Sequence, residues 1–196
     1  MSGLLAGVGA IAVPLVLLGS LAGHLRRPGL LGSALRAQRT LPAFLIRPVA
    51  VLVPAAEAVL GLAAATGLLL GRDDLLRGAL GCTAVLLASY AAYSLHVTRT
   101  RPAAPCGCAG DLDSPMTIWV AVRAAALALP AAVGAFAALP SGGGAETAMT
   151  VLAGLTFAVL LWTLPRAMNE QTNQQLEMNE QMNEQMNQQL EGRTAA

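Results

Sequence analysis

Lysine is absent from the 196-residue chain, and charged side chains of all kinds make up only 12% of it. The 12 cations are all arginine, and 11 carboxylates bring the formal charge to +1. No strongly basic face is available to track a phosphate backbone, which excludes a nucleic-acid partner. The 3 cysteines are too few for a disulfide-stapled secreted module. Neither a hydrolase triad nor a phosphate-binding loop is visible, because the glycines fall in apolar runs or in the 141–144 connector. What the chain has in abundance is aliphatic: 55% hydrophobic residues, 20 further glycines and a mean hydropathy of +0.59. Typical soluble domains carry about 25% charge and roughly 45–50% apolar residues with glycine included. A soluble fold of this size could not hide so much apolar surface, so the chain reads as an integral membrane protein.

Five runs carry almost no charge. Ser2–Gly23, Gly78–Thr98 and Thr147–Pro165 hold no Asp, Glu or Arg; Pro48–Gly71 holds only Glu57, and Pro115–Pro140 only Arg123. Each run is about 19 to 26 residues long, enough for a helix to cross a hydrocarbon core roughly 30 Å thick. The sequence therefore predicts an all-α, polytopic membrane helix bundle. A four-helix domain spans residues 1–140, a linker and a fifth transmembrane helix occupy 141–167, and a low-complexity tail covers 168–196. Trp162 and Arg166 close the fifth run as an interfacial pair. The first run lacks a basic leader, so it reads as a retained helix rather than a signal peptide. The tail repeats Met, Asn, Glu and Gln with a period near four, and it buries too little apolar surface to offset its ordering entropy. It is expected to be disordered or a frayed helix, with a partner-binding helix as the alternative.

Arginine sets the orientation. Arg26, Arg27, Arg36, Arg39, Arg47, Arg99, Arg101 and Arg166 fall on one side of a five-span bundle, against Arg72 and Arg77 on the other. This bias places the N-terminus outside and the tail in the cytoplasm. Within the first loop, Leu30, Leu31, Ala34, Leu35 and Leu41 alternate with Arg36, Gln38 and Arg39, the pattern of a short helix lying in the interface.

Few residues can carry chemistry. Cys106-Gly107-Cys108 sets two thiols one residue apart, a spacing that permits soft-metal ligation or disulfide exchange with a partner. An internal bridge across one residue would be a small, strained ring. The pair lies in a loop at the water interface and is expected to alkylate faster than Cys82, which reads as a buried structural thiol of the third span. Glu57 and Arg123 are the two charges inside spans, at depths of roughly 13 and 12 Å from the same side. Opposite sign at equal depth predicts an intramembrane pair, structural or part of a site. His24 and His96 end their spans on the thiol side. They read as interfacial residues or, with Cys106 and Cys108, as a Cys₂His₂ metal site.

Taken in order, His24-Leu25-Arg26, Leu41-Pro42, Pro54-Ala-Ala-Glu57-Ala-Val-Leu-Gly61, Cys106-Gly-Cys108, Trp119 and Val122-Arg123 resemble the MauE family of methylamine-utilisation membrane proteins, within the DoxX-like group. The resemblance covers residues 4–140 and implies a four-helix core. It places the family's acidic residue on Glu57, its thiols on Cys106 and Cys108, and its fourth-span arginine on Arg123. It also implies a role in redox maturation of an extracytoplasmic client, in methylamine users the disulfide-rich small subunit of methylamine dehydrogenase, with a thioredoxin-like protein acting alongside.

The function expected is a thiol-redox or maturation factor, acting as a thiol–disulfide electron relay without an independent catalytic activity. Its partners are the lipid bilayer and a thioredoxin-like protein or redox client, and the sequence requires no cofactor. The alternatives are a metal-binding membrane protein using the Cys-Gly-Cys loop and nearby histidines, and a non-catalytic membrane scaffold.

Overall fold

Long aliphatic runs broken only by widely spaced charge give six helices among the described residues. The computed structural model describes residues 2–101, 104–107, 116–137 and 143–194. In chain order the helices are α1 (Ser2–Arg26), α2 (Leu30–Gln38), α3 (Ala43–Leu69), α4 (Asp73–Thr100), α5 (Ile118–Phe136) and α6 (Gly144–Thr194). All but α2 are long and apolar enough to cross a membrane. The chain is thus an all-α, polytopic membrane bundle. The expected four-helix core is α1, α3, α4 and α5, and the fifth span is the first half of α6.

α1 sits at the centre and packs against α3, α5 and α6. Its inward face is built from small side chains: Ala6, Ala10 and Ala12 are buried, with Val13 and Leu17 beside them. Lipid is as apolar as leucine, so helices in a bilayer associate through close packing of small residues rather than through hydrophobic expulsion. Gly9 shows how close: a Cβ there would lie 2.5 Å from the Pro130 carbonyl oxygen of α5. The prolines inside α1, α3, α5 and α6 (Pro14, Pro48, Pro54, Pro130 and Pro165) leave these helices continuous. Neighbouring helices in a membrane bundle tolerate such breaks in the backbone ladder.

Two turns fix the topology. α3 ends in a Schellman motif, with Arg72 N–H donating to the Gly67 carbonyl at 2.8 Å and Gly71 N–H to that of Leu68 at 3.4 Å. Gly71 adopts φ 63°, and Asp73 and Asp74 then open α4, where the helix dipole favours negative charge. At the opposite end, α2 is the short helix expected from the sequence and lies against α3. It buries Gly32, Ala34, Leu35 and Gln38 and exposes Arg36 and Arg39.

α6 continues beyond the fifth span. Pro165 does not end it, and the helix runs on to Thr194, exposed along residues 170–186. The Met178, Met182 and Met186 side chains stand at 53–62% exposure, so this stretch packs on no other part of the described chain.

Candidate functional site

The arginine-rich ends of the helices do not close on one another. They leave a cavity of about 300 Å³, walled mainly by aliphatic side chains of α1, α3, α4 and α5 and capped by α2 and the 104–107 segment. Glu57, His24, Tyr90, Tyr93, Arg123 and Cys106 also line it. Three of the four spans thus contribute residues singled out from the sequence, and α4 adds the chain's 2 tyrosines.

Glu57 is the polar centre and only 3% exposed. Ser20 Oγ donates to its Oε1 at 3.1 Å and the Tyr90 hydroxyl does so at 3.4 Å. Oε2 lies 3.4 Å from His24 Nε2 and has no hydrogen-bond partner among the described residues. The contact becomes an ion pair when His24 carries a proton.

The expected Glu57–Arg123 pair is not a direct contact. Among the described residues no ion pair joins them, and Glu57 meets His24 instead. Arg123 reaches the same cavity with its guanidinium carbon 6.0 Å from the centre of the Trp162 ring. That cation–π contact draws it toward α6. Equal depth in the bilayer brought the two charges to one cavity, but rotation about the helix axes set their contacts.

A second network holds the thiol segment in place. The Gln38 side-chain amide donates to the Pro105 carbonyl at 2.8 Å, and the Tyr93 hydroxyl donates to Gln38 Oε1 at 2.6 Å. The Tyr93 hydroxyl has one proton and gives it to Gln38, so in the 2.6 Å contact with Thr40 the threonine is the donor. Met116 N–H closes the loop onto the Ala104 carbonyl at 2.7 Å. Gly107 adopts φ 66°, and a Cβ on it would stand 2.5 Å from Ala34 Cβ of α2. Backbone conformation and close approach both require glycine between the cysteines.

The two thiols that can be compared exchange their expected surroundings. Cys106 is buried at 8% exposure, packed with Val97, Met116 and Val120 rather than facing water. Cys82, expected to be buried, is exposed on α4. The buried positions of α4 (Leu76, Ala79, Leu80, Thr83, Leu87, Ser94 and Val97) form the stripe facing the bundle, and Cys82 falls off that stripe toward lipid. His96 is also exposed and does not line the cavity, so it is not brought together with His24 and Cys106. Cys108 and the nearby Asp111 and Asp113 lie outside the described residues.

Ser20, Gln38, Tyr90 and Tyr93 were not among the site residues expected from the sequence. The tyrosines carried a signal: two polar aromatics three residues apart share a helix face, in a span otherwise free of their kind. The order of these features matches a known family model, methylamine utilisation protein MauE, over residues 2–138. The chain belongs to the MauE family. No curated protein and no solved structure gives a match. Membership associates this integral membrane protein with methylamine utilisation. The MauE match takes in α1 to α5, with Glu57, Cys106, Cys108 and Arg123, and stops before α6 and Trp162.

Proposed function

We propose that this MauE-family protein is a membrane thiol-redox or maturation factor that exchanges disulfides with a partner through Cys106 and Cys108. One observation carries the reading: Cys106 forms part of the same cavity wall system as Glu57, His24 and Arg123. A thiol kept only for packing has no need to share a cavity with a buried acid, a base and a cation. In the exchange, a thiolate attacks the partner's disulfide, and the neighbouring thiol then resolves the mixed species. The α2 cap, held by Gln38 and Gly107, keeps water from Cys106 until a partner opens or replaces that contact.

Removing the resolving thiol should trap the partner. Cys108→Ser is expected to accumulate a mixed disulfide through Cys106 in cells, visible on a non-reducing gel and identifiable by mass spectrometry. Cys106→Ser/Cys108→Ser should show none. A thioredoxin-like protein or a redox client as the trapped species supports the reading. Equal bands in both variants would refute it, and protection of the thiols that vanishes with a chelator would favour a metal site in its place.

The arginine bias supports a bacterial inner-membrane protein with its N-terminus outside and its tail in the cytoplasm. Thr100 is exposed, neutral and at the same end as the thiol segment. In a chain whose native cysteines are serine, Thr100→Cys is expected to react with a membrane-impermeant maleimide only after the cells are lysed. Labelling of intact cells would reverse the orientation and place Cys106 on the side of an exported client.

A further inference from the structure

We propose that the groove between α2 and α3 binds an anionic phospholipid, with Arg36 and Arg47 holding its phosphate and the exposed face of α3 receiving an acyl chain. The inference is independent of the thiol chemistry proposed above.

The two arginines converge because α2 and α3 form a hairpin. Residues 39–42 join the helices, which pack against each other. Gly32 of α2 meets Ala50 of α3: a Cβ on Gly32 would lie 3.7 Å from Ala50 Cβ. That contact is almost equally far from the connection along both helices, so they run antiparallel there. Arg36 follows Gly32 by four residues and Arg47 precedes Ala50 by three. Both steps lead toward the connection, and each is about one helical turn. Both arginines are exposed, as is Arg39 at the end of α2. No carboxylate answers them locally. The chain has no Asp or Glu before Glu57, and among the described residues no ion pair engages Arg36, Arg39 or Arg47. Like charges brought together in this way repel, and an anion between them removes the repulsion. A phosphate suits the position, because guanidinium groups bind its oxygens in a bidentate fork.

The surface beyond the arginines selects a lipid among anions. Phe44, Arg47, Val51, Ala55, Val59 and Leu62 recur at spacings of three and four on α3, so they share one face. All six are exposed, and Arg47 is the one polar member. From Val51 to Leu62 the stripe runs about 16 Å at 1.5 Å per residue, about one leaflet of a hydrocarbon core roughly 30 Å thick. An acyl chain laid along it brings its phosphate to the level of Arg47. A free phosphate would leave the stripe bare. An acidic peptide would have to set unpaired backbone amides beside an apolar span. A zwitterionic head group would bring its own cation to a groove that is already cationic. The glutamates of α6 beyond Pro165 are the other anions at hand, and that stretch of helix is exposed along residues 170–186.

The test uses the purified full-length chain in detergent and counts the lipids it retains by native mass spectrometry. The probes are palmitoyl-oleoyl phosphatidylglycerol and the matching phosphatidylcholine, supplied in competition. Wild type is expected to retain the anionic lipid in preference. Arg36→Gln and Arg47→Gln should each cut that preference about fivefold, and the pair together about thirtyfold, as expected for cations at an anionic lipid surface. Arg36→Lys/Arg47→Lys should keep most of it, because the charges remain. Both side chains are exposed, so helical content and the thermal midpoint should hold in every variant. Arg99→Gln/Arg101→Gln removes the same charge from the end of α4, outside the groove, and should leave the preference within about twofold. An equal loss in that control would show a diffuse charge bias and overturn the site. Displacement of the lipid by glycerol phosphate at equal concentration would assign the groove to a free phosphate and overturn it as well. So would retention of phosphatidylcholine as strong as that of phosphatidylglycerol. If the chain instead forms a dimer that dissociates in Arg36→Gln/Arg47→Gln or without residues 168–196, with lipid retention unchanged, the groove takes the acidic end of α6 from a second copy and not a lipid.

Discussion

Replacing Glu57 with leucine is expected to lower folding stability by about 3–5 kcal/mol, the order seen when one member of a buried charged cluster is removed. Ser20 and Tyr90 would lose the acceptor they share, and Arg123 would be the remaining charge on the cavity wall. Glu57→Gln should cost less, because its amide oxygen can still accept from Ser20. Combining Glu57→Gln with Arg123→Gln should recover a good part of the loss, since no charge is then left in the cavity. Thermal unfolding in detergent and the monodisperse fraction on size exclusion measure both effects. If leucine is as stable as glutamate, the carboxylate does not organise the cavity.

Gly107→Val is the second substitution with a large expected effect. Valine at φ 66° is strained by about 1–3 kcal/mol. Its Cβ would also run into Ala34, with both backbones fixed by their own contacts. The segment should leave α2, and the Gln38–Pro105 bond should break with it. Cys106 would then open to solvent, and its reaction with a water-soluble maleimide should accelerate about tenfold or more, following the population of the open form. The rest of the bundle should keep its helical content by circular dichroism. An unchanged Cys106 rate would show that the cap does not protect the thiol.

The number of spans, the short helix α2 and the unusual residues at Glu57, Arg123, His24 and Cys106 were all legible in the sequence. Each is a departure from an apolar background, and hydropathy reports departures well. Orientation about each helix axis was not legible. In water, a helix shows its buried face by being apolar there. In a bilayer the lipid-facing side is equally apolar, so Cys82 and the inward positions of α4 look alike in the sequence. For the same reason equal depth implied a Glu57–Arg123 contact, whereas the side chains turned to His24 and Trp162. Gln38 was hidden differently. It sits among the arginines of an amphipathic helix and reads as surface, yet it is 1% exposed because the 104–107 segment folds onto it from far along the chain. A short polar loop carries no mark in its own sequence of where it will dock.

The contact between Arg123 and Trp162 crosses a boundary. The arginine belongs to the part of the chain shared with the family, and the indole belongs to a helix beyond it. Gly19 of α1 gives the ring room: a Cβ there would lie 3.3 Å from the nearest indole carbon. The guanidinium position is therefore a property of the composite and not of the inherited core alone. Grafting residues 2–138 into another context would carry over every polar residue of the cavity and lose the brace that aims one of them. In a chain without such a helix this arginine would need some other restraint.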